Sequence, residues 1–259
     1  MKNKKLYYFL TLLIFSGGIY LIFNKIYSSL KDKLNDINTD ITLLYELHSI
    51  ESHHQTDTCY TKILCLGNSI TKHPVKKDVE WYSNWGMAAS KEEYDYVHQL
   101  QSMLRKSHEG VTVEALNISA FEQNPNINID SLLFEHINQV DAIVIRIGEN
   151  VKQCDIEAFR KNLPRLIEYC KQKASKVMIT GNFWYNPTKE QVIIESAHKE
   201  DIKYIPLFWI ARSYNIYPQL GDTLYDTHGK TYTIKKDFII THPNDKGMKM
   251  IAKEIYNAL

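Results

Sequence analysis

Lys62-Ile63-Leu64-Cys65-Leu66-Gly67-Asn68-Ser69-Ile70-Thr71 is the stretch on which the reading of this chain turns. An apolar run closed by a glycine has the form of a central parallel strand buried on both faces. Gly67 is expected to let the backbone turn sharply at the strand's end. Ser69 is thereby presented near the carboxyl edge of a sheet, where open α/β sheets place their ligands. A serine after a strand is ordinary on its own, and its meaning depends on what the rest of the chain brings beside it.

Residues 111–116, 141–147, 176–180 and 203–207 read as further strands, the second of them apolar after Asp141 apart from Arg146. Residues 87–106 read as a helix with Val97, Leu100 and Leu104 on one face. Residues 130–139 and 155–173 read as two more, the latter interrupted by Pro164, which is expected to kink it. Thr188 with Gln191 forms a capping box for the next helix, and Asn244 caps a last one that buries Met248, Ile251 and Ile255. Residues 211–240 show no regular pattern. Strands alternating with helices imply an α/β fold, a parallel sheet covered on both faces.

Residues 6–23 are almost wholly apolar and uncharged, the length of a short membrane span. Lys2, Lys4 and Lys5 precede them, while Lys25, Lys31 and Lys33 beyond are partly offset by Asp32 and Asp36. This slight bias favours an inward amino terminus. A cleaved signal peptide is the rival, but Ile22-Phe23-Asn24-Lys25-Ile26-Tyr27 is a poor cleavage site. The expectation is a single-pass anchor (1–24) with the remainder outside the cytoplasm, periplasmic or at the cell surface. Leu30, Leu34, Ile37, Ile41 and Leu44 follow an a/d seam for about two heptads. That seam reads equally as a stalk that self-associates through residues 30–44 or as a helix packed on its own domain. Residues 25–58 are thus stalk and linker, and 59–259 the globular domain.

The chain has four cysteines. Cys154 and Cys170 would lie about 24 Å apart along one helix at 1.5 Å per residue, too far to bridge. Cys59 and Cys65 flank one extended strand. A pair such as Cys59 with Cys154 stays open, and buried free thiols are the expectation. The net charge of +1 gives no global field for nucleic acid. No metal-ligand cluster stands out, and no cofactor is expected.

Four strand-end or loop segments hold the polar residues: Gly67-Asn68-Ser69, Asn117-Ile118-Ser119-Ala120, Gly148-Glu149-Asn150 and Thr241-His242-Pro243-Asn244. In a parallel sheet such ends converge on one edge. With these segments the chain from about residue 61 to 259 resembles the SGNH (GDSL-type) hydrolase family. That family has a serine in a Gly-Asp-Ser block, a small residue in a second block, a Gly-x-Asn block and a late histidine, often in Asp-x-x-His. Ser69, Gly148, Asn150 and His242 match it. Asn68 stands for the usual aspartate, and Ala120, or Ser119, for the glycine of the second block. Ile239 occupies the place of the triad acid, and Asp237 is near but out of register. Gly-Asn-Ser-Ile-Thr, with Trp-Gly-Met-Ala-Ala-Ser at 85–90 and Gly-Glu-Asn-Val at 148–151, resembles a bacterial subgroup of the family.

The resemblance implies a flavodoxin-like three-layer α/β/α sandwich around a mostly parallel five-stranded sheet. It implies ester hydrolysis by Ser69, with His242 as its base. The oxyanion would be met by the N–H groups of Ser69 and Ala120 and the side-chain amide of Asn150. His242 needs a partner on its other nitrogen, either Asp237 or a main-chain carbonyl; the carbonyl is favoured because Asp237 is displaced. Asn68, Trp81, Trp85, Glu149 and Trp184 are candidate substrate contacts, against the ordinary reading of tryptophans as packing and of Glu149 as a hydrogen-bonded residue. The expected activity is removal of acyl groups, acetyl foremost, from carbohydrate. Two rivals stand beside it: an envelope polysaccharide O-acyltransferase using the same groups, and a non-catalytic carbohydrate-binding protein, which the missing acid at Ile239 would suit.

Overall fold

The computed structural model describes residues 60–259. The expected anchor (6–23), the seam (30–44), the linker and Cys59 lie outside the described residues. Among those described, no helix is long and apolar enough to cross a membrane.

Five strands form the central sheet: β1 (Lys62–Gly67), β2 (Thr112–Asn117), β3 (Ala142–Arg146), β4 (Lys176–Thr180) and β5 (Lys203–Ile205). Their order is β2-β1-β3-β4-β5, with every pairing parallel. This is the flavodoxin-like order. Around it run α1 (Tyr96–Leu104), α2 (Ser119–Gln123), α3 (Ile129–Leu133), α4 (Ile156–Lys171), α5 (Pro187–Lys199) and α6 (Asp245–Ala258). The period of two along each strand divides the core. Ile63 and Cys65 of β1, with Ala142 and Val144 of β3, join Val97 and Leu100 of α1 and Met248 and Ile251 of α6. Leu64, Leu66, Ile143 and Ile145 point the other way, into Phe159 and Leu163 of α4 and Val192 and Ile193 of α5. Apolar residues on both faces of each strand therefore produce three layers.

From β1 the chain goes to β2 on one side and then crosses to β3 on the other. At this reversal the loops leaving the carboxyl ends diverge and open a crevice. Gly67 is paired with both Asn117 and Arg146, so three loops depart side by side from one line across the sheet. Gly67 does not have the left-handed backbone expected of a turn glycine. It is small for another reason: a Cβ there would strike the Thr71 side chain and lie 3.0 Å from the Arg146 carbonyl oxygen. Gly148, at the end of β3, does need glycine's freedom, with φ 133°.

Several sequence expectations are corrected. The helix expected over 87–106 begins only at Tyr96, where the Asp95 carboxylate accepts the His98 N–H at 2.8 Å. Residues 87–89 are buried loop, with Ala88 at φ 75°. The helix expected over 130–139 is the single short turn of α3. α4 runs unbroken through Pro164. The cap of α5 is Asn186, whose side chain accepts the Lys189 N–H at 3.1 Å, with Pro187 in the first turn, rather than Thr188 with Gln191. The unpatterned 211–240 contains a hairpin of β6 (Thr223–Tyr225) and β7 (Thr231–Thr233). Asn244 does cap α6, accepting from Lys246 and Gly247. Cys65 and Cys170 are buried free thiols, but Cys154 is exposed. Burial pushes the Cys65 thiol up to about 12, which keeps it protonated and inert.

Candidate active site

Ser69 sits in a tight turn after β1. The N–H groups of Thr71 and Lys72 both donate to the Asn68 carbonyl at 2.9 Å, and Met87 N–H donates to the Ser69 carbonyl at 2.8 Å. The turn is thus tied on both sides, and no acceptor among the described residues takes the N–H of Ser69 itself. The Ser69 hydroxyl lies 2.9 Å from Nε2 of His242, a residue 173 positions away.

His242 follows a short helical turn, Ile239–Thr241, immediately before α6. Its Nδ1 lies 2.9 Å from the Phe238 carbonyl and 3.4 Å from Thr241 Oγ1. The carbonyl can only accept, so the hydrogen belongs on Nδ1 and the Nε2 lone pair is left facing the serine hydroxyl. Ile239 is fully buried in the core, and Asp237 is exposed to solvent. The ring's partner is therefore the main chain, not the candidate acid Asp237. Trp184 meets the imidazole edge-on, with centroids 5.0 Å apart, and its Nε1 donates to the Thr241 carbonyl at 3.0 Å. Only 6% of His242 is exposed. Burial pushes its pKa down to about 4, helped by the charges of Arg146 and His73 and opposed by the Phe238 carbonyl. The imidazole is neutral at pH 7.

Beneath the serine lies a buried polar cluster. Arg146, the last residue of β3, donates from Nη1 to Glu149 Oε1 at 2.7 Å and from Nη2 to Asn68 Oδ1. Asn68 Nδ2 donates to Glu149 Oε2 at 2.7 Å and to Glu122 Oε1 at 3.1 Å. Glu122 also accepts from Gly148 N–H at 2.7 Å and from the Asn150 side chain at 2.8 Å. Phe183 N–H, after β4, donates to Glu149 Oε1 at 3.1 Å. Four loops are stitched together below the cleft floor. Burial, and after it the charge of Glu149, raises the pKa of Glu122.

The cleft above has a volume of about 590 Å³ and is lined by Ser69, Asn117, Ser119, Asn150, Trp184 and His242, with His73, Lys76, Gln123 and Phe238 toward its rim. Ser119, rather than Ala120, lines it. Ala120 lies in the first turn of α2, where N–H groups lack an intrahelical acceptor. Of the candidate substrate contacts, only Trp184 is on the cleft. Trp81 and Trp85 are core residues whose indole N–H groups donate to the carbonyls of His73 and Ala89. Asn68 and Glu149 face inward, into the polar cluster. Glu122, Arg146 and the rim residues His73, Lys76, Gln123 and Phe238 are the site residues that sequence reasoning did not name. Arg146 alone carried a visible signal, because a charge inside a fully apolar strand must find a partner.

No protein-family model matches the chain, and no curated protein matches it. Solved structures do. An acetylxylan esterase from Geobacillus stearothermophilus is 13% identical, covering 77% of this chain and 94% of its own, with a TM-score of 0.48. The psychrotrophic esterase EstA from Pseudoalteromonas sp. is 14% identical over 76% of this chain and 96% of its own, with a TM-score of 0.46. A two-domain esterase active on acetylated mannans is 18% identical over 75% of this chain and 47% of its own, with a TM-score of 0.48. These are likenesses of fold. The chemistry below is drawn from the site's own geometry.

Proposed function

We propose that the chain is a serine esterase of the SGNH type that works through a Ser69–His242 dyad. The observation that carries this reading is the 2.9 Å approach of Ser69 Oγ to Nε2 of a neutral imidazole whose other nitrogen is held by a main-chain carbonyl. Serine is a weak nucleophile until a base takes its proton. Here Oγ attacks the ester carbonyl as its proton passes to Nε2. The oxyanion is met by the N–H of Ser69, the N–H of Ala120 and the free hydrogen of the Asn150 amide. Each such donor is worth about 2.7–4 kcal/mol of transition-state stabilisation. Collapse expels the alcohol, which takes the proton from Nε2. Water then releases the acyl group from Ser69 by the same path.

The substrate class we favour is acylated, foremost acetylated, carbohydrate. In support, the cleft presents the neutral amide of Gln123 and the indole of Trp184, groups suited to sugar hydroxyls and sugar faces. An aryl phosphonate should label Ser69 covalently, and Ser69→Ala should lose the adduct with an unchanged circular dichroism spectrum. Labelling that survived the substitution would move the nucleophile, Ser119 being the next hydroxyl on the cleft.

We also propose residues 6–23 as an anchor that holds the domain outside the cytoplasm, on the strength of their uncharged run and basic flank. Protease added to intact spheroplasts should digest the domain; complete protection would refute the topology.

A further inference from the structure

Glu122 is fully buried at the end of a short helix, and all the hydrogens that reach its carboxylate come from amide N–H groups. Its two oxygens divide the work. Oε1 accepts from Gly148 N–H at 2.7 Å, from Asn68 Nδ2 at 3.1 Å and from Asn150 N–H at 3.2 Å. Oε2 accepts from the Asn150 side-chain amide at 2.8 Å. A carboxylate is costly to bury, and Glu149 stands near to raise the cost. An amide or an apolar side chain would avoid the charge but leave buried N–H donors unpaired. What neither could do is accept on both sides at once, because a glutamine offers one acceptor and one donor.

We propose that Glu122 is a positioning residue for ester hydrolysis. It holds one hydrogen of the Asn150 amide and so aims the other into the cleft, at the place where the oxyanion develops. Through Asn68 and Gly148 it keeps the peptide before Ser69 and the turn before Asn150 in fixed register, so two oxyanion donors from different strands are set by one carboxylate. The role rests on the reading of Ser69, His242 and Asn150 given above. Glu122 itself touches no reacting atom.

In Glu122→Gln the side chain is expected to turn its carbonyl oxygen toward the three donors on the Oε1 side. Its amino group then meets Asn150 Nδ2, donor against donor, and the Asn150 amide must turn away. Steady-state kinetics of Glu122→Gln, Asn150→Ala and the double variant on p-nitrophenyl acetate test this. Each single change should lower kcat by about 10²–10³-fold with KM little altered, as for an interaction made only in the transition state. The double variant should be no slower than either single one, since both remove the same donor. A Glu122→Gln enzyme with wild-type kcat beside a crippled Asn150→Ala, or losses that multiply in the double variant, would overturn the positioning role and leave the dyad intact. Wild-type kcat in Asn150→Ala would overturn both this role and the assignment of Asn150 as a donor. Should Glu122→Gln not fold, Glu122→Asp keeps the charge but withdraws it by one methylene from Asn150. The same loss of kcat is expected there, and wild-type kcat would refute the proposal.

Discussion

His242→Ala should lower kcat/KM on an activated acetyl ester by about 10⁴-fold or more, the scale on which serine hydrolases depend on a correctly held imidazole, while Asp237→Ala should stay within a few-fold of wild type. The asymmetry follows from the geometry. Nδ1 is bonded to the Phe238 carbonyl at 2.9 Å, and Asp237 is exposed. A carbonyl holds the tautomer as well as a carboxylate does, but it gives less stabilisation to the imidazolium that forms as Oγ attacks. The pH profile carries the same information. The base works only when neutral, and its pKa is pushed down to about 4 by burial. The acid limb of kcat/KM should therefore fall near pH 4, with a plateau through pH 5 to 8, rather than near the ordinary histidine value. The linkage to stability has the same sign: the folded pKa lies below the unfolded one. The contribution is thus present above the unfolded pKa of about 6.5 and lost as pH falls through about 4. A loss at Asp237 comparable to that at His242 would refute the dyad, and an acid limb near pH 6.5 would show that burial does not hold the working imidazole neutral.

The sheet was legible because its strands are buried on both faces. Residues such as 142–145 and 177–179 are apolar without interruption and lead to a glycine within a few positions, a pattern that a buried parallel strand accommodates and a half-exposed element does not. The helix boundaries were less so, because apolar residues in a buried loop look like a helical face. Met87, Ala88 and Ala89 are core residues of a loop, and only the Asp95 cap fixes where α1 starts. The hairpin of β6 and β7 escaped because three-residue strands leave no period to read.

At the site, polar residues at strand ends and in a late loop, read through their resemblance to the SGNH hydrolase blocks, brought Ser69, Asn150 and His242 into view, and the structure places all three on one cleft. The displaced position of Asp237 already pointed to a carbonyl partner for the histidine. Trp81 and Trp85 misled because a tryptophan in a loop says nothing about which way the loop folds; both point into the core. Glu122 was invisible because nothing near it in sequence marks it as buried. Its partners Asn68, Gly148 and Asn150 lie 54, 26 and 28 positions away, brought near by the sheet alone.

Arg146→Met should destabilise the fold by about 3–5 kcal/mol, the cost of leaving a buried partner charge uncompensated. Arg146 and Glu149 are both buried and 2.7 Å apart, and Glu122 is a second buried carboxylate linked to the first through Asn68. Removing the guanidinium leaves two carboxylates inside the protein without it. The defect should shrink on acidification. Glu122 already has a pKa raised by burial and by Glu149, so its folded value lies above its unfolded one. Such a group costs stability as pH rises through its range, and losing the arginine enlarges that cost. Urea unfolding of wild type and Arg146→Met at pH 5 and pH 8 should show a wider gap at pH 8. The double variant Arg146→Met, Glu149→Gln removes one of the uncompensated charges and should recover part of the loss at pH 8, since a neutral pair of similar volume is tolerated where half an ion pair is not. A single variant as stable as wild type at pH 8, or a double variant less stable than the single, would mean that the cluster holds its loops by shape rather than by charge.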